Sequence, residues 1–103
     1  MFMLMLFDGA IRFARQSKDF MAAGKLEEAS AKLINTQDII NELILSLDLS
    51  IGELAHNLQQ LYVYIHDLLV QANVKKDPAV VDSALGLLVE LRDTWEQVVG
   101  QTK

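Results

Sequence analysis

Apolar residues in this chain recur at alternating spacings of three and four, and only one proline and five glycines interrupt them in 103 residues. That spacing places apolar side chains on one stripe of an α-helix. The few breaks divide the chain into four such segments. The first runs from about Phe2 to Ala22 and ends at Gly24, a residue suited to a helix C-cap. The second covers about Lys25 to Leu47, with Leu26, Ala29, Leu33, Ile40, Leu43 and Leu47 on its stripe and Thr36 as the polar member.

Two boundaries carry capping signals. Leu49-Ser50-Ile51-Gly52-Glu53-Leu54 reads as a capping box, Ser50 accepting from the Glu53 backbone N–H and Glu53 reaching back, with Leu49 stapled onto Leu54. The third helix is expected to start there and to stop near Asn73, with Ile51, Leu54, Leu58, Leu61, Ile65, Leu68 and Ala72 as its heptad stripe. Asp77-Pro78 supplies an N-cap followed by proline at the first helical position. Val81, Ala84, Leu88, Leu91, Trp95 and Val98 form the fourth stripe. Helices of about 20 residues are about 30 Å long, and short connections make neighbours antiparallel. The expected fold is all-α, an antiparallel up-down four-helix bundle in one domain spanning residues 1–103.

The opening MFMLMLF is apolar enough to suggest a leader or a membrane span. A leader wants a positive start, a longer apolar stretch and a small-residue cleavage site, yet Asp8 follows at once here, with Arg12, Arg15 and Lys18 soon after. A membrane helix needs about 20 apolar residues, and charge interrupts every later stretch before that. The reading is a soluble, cytoplasmic protein. A formal charge of -5 and scattered basic residues argue against nucleic acid or an anionic membrane as partner. The absence of cysteine removes thiolate chemistry and disulfides.

Few residues suggest chemistry. Glu53-Leu54-Ala55-His56 has the E-x-x-H spacing of di-iron bundles, but that chemistry needs the motif twice with inward carboxylates, and His56 falls on an outward heptad position. The stretch LAHNLQQL also has the outline of a histidine phosphotransfer bundle, the runner-up reading. Gln59 and Gln60 stand where that family has its lysine and glycine. His66 has no suitable partner at helical spacing, and Glu27, Glu28, Asp38 and Glu42 read as a solvated face. No enzyme, metal or cofactor is expected.

The composition points elsewhere. The chain is 51% hydrophobic and only 22% charged, while a domain of this size buries roughly 60–70% of its unfolded surface. Surplus apolar residues must then reach the surface, where contiguous patches mark partner sites. Heptad lettering leaves Leu4, Ile11, Ile34, Leu45, Val63, Val70 and Val89 at outward positions, although helical drift of about 20° per heptad turns some of them inward. Tyr62 and Tyr64, with Phe7, Leu69 and Leu85, broaden the stripes toward the grooves. The candidate partner-binding set is Leu4, Phe7, Ile11, Ile34, Leu45, Tyr62, Val63, Tyr64, Leu69 and Val70. The mode it suggests is helix-in-groove.

Leu6-Phe7-Asp8-Gly9-Ala10, Ser46-Leu47-Asp48, Gly52-Glu53-Leu54-Ala55 with Asn57-Leu58, Leu61-Tyr62 with Tyr64, Leu69 with Ala72-Asn73, and Leu91-Arg92-Asp93-Thr94-Trp95 go beyond periodicity. In this order and spacing they resemble FliS, the flagellar export chaperone family, over nearly the whole chain. The resemblance implies a bundle that binds the C-terminal segment of flagellin in the bacterial cytosol, the segment wrapping around it in extended and helical pieces. It also implies contacts with the export-gate component FlhA and, in some bacteria, the regulator FliW. Relatives carry a tyrosine-containing tail and a Thr-Ala-Ser-Pro-like cap ahead of the first helix, whereas this sequence starts inside the equivalent helix. Phe2 to Phe7 is therefore expected to fray or to find another partner, a second copy included. Ile51 stands where the family often has a glycine, and Phe7 where it has tyrosine.

Overall fold

The computed structural model of the protein describes residues 2–101, without the side chains of Phe2, Ile51 and residues 98–101. Its helices are α1 (Phe2–Ala22), α2 (Leu26–Leu45), α3 (Glu53–Lys75) and α4 (Pro78–Gln101), with a single 3₁₀ turn, Leu49–Ile51, leading into α3. α1 packs against α2 and α4, and α3 packs against the same two, so the helices close a square. Ion pairs fix the direction of the first and last: Asp8 early in α1 meets Arg92 late in α4, and Lys18 late in α1 meets Asp82 early in α4. The result is the expected antiparallel four-helix bundle, measuring 44 × 25 × 18 Å.

The connections follow from local chemistry. α1 ends as the sequence predicts: Gly24 takes φ +73°, and the Lys25 N–H donates back to the Phe20 carbonyl at 2.8 Å, closing a Schellman-type cap. Pro78 opens α4 behind Asp77, whose Oδ1 accepts from the Ala79 N–H at 2.9 Å. The end of α3 lies two residues past the expected Asn73. Lys76 supplies the left-handed residue there, at φ 51°, while its Nζ donates to the Asn73 carbonyl at 2.6 Å.

The capping box before α3 does not form. Asp48, not Ser50, caps the turn: its Oδ1 accepts from the Ser50 N–H at 3.0 Å and the Ser50 hydroxyl at 2.5 Å. Those two bonds, the hydroxyl's first, hold the Asp48 carboxyl below its ordinary range. Ser50 lies inside that turn rather than at the N-cap of α3, and no side chain caps α3. Gly52 precedes α3 instead at φ +117°, a conformation that only glycine enters without strain. Leu54, the other half of the expected staple, is 69% exposed.

The core of α2 is the expected stripe, Ala29, Leu33, Thr36, Ile40 and Leu43. Thr36 satisfies its buried hydroxyl by donating to the Lys32 carbonyl at 2.8 Å. Leu26 is half-exposed and lies off that core. The α4 stripe holds through Trp95, while Val98 and, ahead of α3, Ile51 lie outside the described side chains. Gly9 on α1 lets α2 come close, since a Cβ there would sit 3.3 Å from Ile39 Cδ1.

The interior face of α3 is rotated from expectation. Its buried residues are Ala55, Tyr62, Ile65, Leu69 and Ala72, whereas Leu61 and Leu68 sit at the flank, half-buried. Both registers share Ile65 and Ala72, and the bundle selects the one that inserts Tyr62. That ring packs at 6.4 Å and 50° against Phe7 of α1, across the bundle.

Candidate functional site

The candidate residues divide between interior and surface. Phe7, Ile11, Tyr62 and Leu69 are buried in the core, so none of them meets a partner in this conformation. The reason is the phase of the helices: the shifted register of α3 carries Tyr62 and Leu69 inside, and α1, wedged between α2 and α4, buries Ile11 together with Phe7. Leu85, another flank position, is buried as well, and Leu4 and Val89 are half-buried. Ile34, Leu45, Val63, Tyr64 and Val70 are exposed, Leu45 by 80%.

Four of the exposed members, Ile34, Leu45, Val63 and Val70, flank one seam, between α2 and α3, while Tyr64 stands about 100° around α3 from Val63. Leu54 and Leu58 of α3 line a cleft with Leu91, Thr94 and Trp95 of α4, so that side of α3 faces α4. At about 100° per residue, Val63 lies about 140° around the helix from Leu58, toward α2, and Val70 and Val74 fall within about 40° of one another beside it. Lys32 reaches over the Phe13 ring of α1 at 5.2 Å and thereby marks the α1 side of α2. Ile34 and Leu45 lie nearly opposite, on the flank toward α3.

The α3–α4 cleft was hidden by the expectation that its residues were interior. It holds about 200 Å³ lined by Leu54, Leu58, Leu91, Thr94 and Trp95. A second hollow of about 280 Å³ adjoins it, sharing Leu54, Leu58 and Trp95 and adding Met3, Leu47 and Ala55. The walls are apolar and come from all four helices or their connections. The rotated register of α3 is what leaves Leu54 at this mouth. Val74, 80% exposed, was also missed, although it follows Val70 at i+4.

Polar side chains in the walls are few, Thr94 in the cleft and Ser46 and Asp48 in the adjoining hollow, and a charged network borders them. Arg92, one α-turn before Glu96, donates from Nε to Asp8 and from Nη1 to Glu96, both at 2.7 Å, which ties the start of α1 to α4 next to Trp95. Asp8 first and Glu96 second raise the already high pKa of Arg92, so its guanidinium stays cationic. The Tyr62 hydroxyl is buried without a well-formed hydrogen bond. Burial pushes its pKa up, and the neighbouring Trp95 indole offsets this only in part. His56 is exposed on α3, and among the described residues no three His, Asp or Glu side chains gather as a metal site. Among the described residues no helix is long and apolar enough to cross a membrane.

The family described as flagellar protein FliS matches residues 1–102. This chain belongs to the FliS family. A flagellar secretion chaperone FliS from Bacillus subtilis is 33% identical over 96 residues, covering 93% of this chain and 71% of that protein. Those from Vibrio cholerae and Salmonella typhimurium are 34% and 37% identical, each over 91% of this chain and 70% and 71% of their own lengths. The family's members here are chaperones rather than enzymes, and a role in flagellar export follows for this FliS-family chain.

Proposed function

We propose that this protein holds the C-terminal segment of flagellin in the bacterial cytosol, covers its apolar face before it can polymerise, and assists its delivery to the export apparatus. The observation that carries the reading is the open, apolar-walled cleft between α3 and α4 at one end of the bundle. Leu54 at its mouth is mostly in water, and Leu58, Leu91 and Trp95 are half-buried. Burying a leucine-sized side chain fully contributes about 1.5–3 kcal/mol. Several such residues on each partner, less an ordering cost of about 2–5 kcal/mol, bring the total near the 8 kcal/mol of a Kd of about 1 μM. That strength suits a client that must be released. Contacts with FlhA and FliW belong to the same reading through family resemblance, and self-association through the first helix would compete for the same apolar surface.

Calorimetry with a flagellin C-terminal peptide tests it. The expected result is micromolar or tighter binding with a strongly negative heat-capacity change. Trp95, the chain's single tryptophan, should shift its emission to the blue as the cleft fills. Leu54→Asp should weaken binding by about tenfold or more while leaving the far-UV dichroism melt in place. Absence of heat at every temperature, with no change in emission, would overturn the proposal.

A further inference from the structure

The scatter of basic residues has one large gap. From Leu33 to Val74 the sequence contains five carboxylates, Asp38, Glu42, Asp48, Glu53 and Asp67, and all nine lysines and arginines lie outside it. That stretch is most of α2 and nearly all of α3. The nearest cation on α2, Lys32, is turned away toward Phe13 of α1.

The gap coincides with exposed apolar residues in a regular arrangement. Ile34 and Leu45 on α2 are separated by eleven residues, as are Val63 and Val74 on α3, with Val70 between the latter pair. A spacing of eleven returns to within about 20° of the same direction on a helix. Each row therefore runs along its helix, and the two rows flank the α2–α3 seam. Asp67 is exposed between Val63 and Val74, and Asp38 and Glu42 are exposed beside Ile34 and Leu45. Between residues 33 and 74 every charged side chain bordering these rows is negative, and Lys75 follows only at the far end of the α3 row. Among the described residues none of these three carboxylates is in an ion pair, in contrast to those of the α1–α4 seam.

We propose that the α2–α3 seam is a second docking surface, fitted to an amphipathic helix of another protein that carries lysine or arginine on both margins of its apolar stripe. The apolar rows would bury that stripe, and the carboxylates would meet its cations. Like-charged helices, a second α2–α3 face included, would be repelled. This goes beyond the flagellin reading, which rests on the cleft at the α3–α4 seam, and it holds whichever segment fills that cleft.

Three synthetic helical peptides of about 18 residues, or five turns, provide the probe. They share one leucine and alanine stripe and differ only in lysine, glutamine or glutamate margins. The lysine peptide should bind tightest, shift the amide resonances of 34–45 and 63–74, and lose about tenfold in affinity from low to high salt. The glutamate peptide should not bind. The triple variant Asp38→Asn, Glu42→Gln, Asp67→Asn, with its melt unchanged, should bind the lysine and glutamine peptides alike. Failure of the lysine peptide to bind, shifts confined to the α3–α4 cleft, equal affinities for all three peptides, or a lysine preference that survives the triple variant would each overturn the proposal. A flagellin peptide measured beside them separates the two readings, because Leu54→Asp should weaken it and leave the lysine peptide unaffected.

Discussion

The α1–α4 and α2–α3 seams are built from the same kind of helix and close in opposite ways. Along α1–α4, opposite charges face each other at both ends, Lys18 with Asp82 and Arg92 with Asp8, and the apolar residues between them are largely internal. Along α2–α3, from Leu33 to Val74, only one sign of charge is present, no ion pair joins the two helices among the described residues, and aliphatic side chains stand in water. Exposed ion pairs contribute little stability each. What the first seam gains from them is a satisfied surface that needs no further partner, and the second lacks that closure.

The largest expected effect bears on the depth of the second seam. Leu69→Ala should cost about 2–5 kcal/mol in urea unfolding, because the side chain is fully buried. Its neighbour Val70→Ala should change stability by no more than about 0.5 kcal/mol. Similar costs at the two positions would mean that α3 is not rotated as described and that the α2-ward flank is closed.

A smaller effect sharpens the first seam. Arg92→Gln removes the bonds to Asp8 and Glu96 at once, and should lower the melting temperature by less than Leu69→Ala does. The loss should shrink in molar salt, which already screens the clamp in the parent protein. A loss independent of salt would assign Arg92 a packing role instead.

The smallest effect is at Tyr62, whose ring joins α1 to α3 across the interior. Tyr62→Phe removes a buried hydroxyl that lacks a good partner, so stability at neutral pH should be unchanged or raised by about 1 kcal/mol. The folded phenol holds its proton more tightly than the unfolded one, whose ordinary pKa is 10.0. Its contribution is therefore complete below that pH and is lost as pH rises through the folded value. Urea midpoints measured across the alkaline range should fall less steeply in the phenylalanine variant. Equal slopes would indicate a hydroxyl that is solvated in the folded state.

Much of this architecture is legible in the residues themselves. The bounds of α1, the Asp77-Pro78 start of α4 and the α2 stripe follow from periodicity and capping chemistry, which act within a few residues of the chain. The motif series was equally legible, and the family it resembles is the one that matches. The face of α3 was not. Leu54, Leu61 and Leu68 make as regular a stripe as Ala55, Tyr62 and Leu69, and the leucines are the more apolar set. The capping box failed similarly, since Asp48 drew Ser50 into a 3₁₀ turn and left Gly52 at the N-cap position of α3.

By itself, then, the sequence determined four helices, their order, their antiparallel path, the family and the sign of the surface charge, because local backbone chemistry and composition set these. Only the tertiary structure decided which of two adjacent stripes on α3 went inside, and with it that Tyr62 and Leu69 are core while Leu54 opens a cleft. Two registers about 50° apart satisfy the same period, and the choice depends on what stands opposite. Here that is Phe7 of α1, a side chain distant in sequence and 6.4 Å away between ring centres.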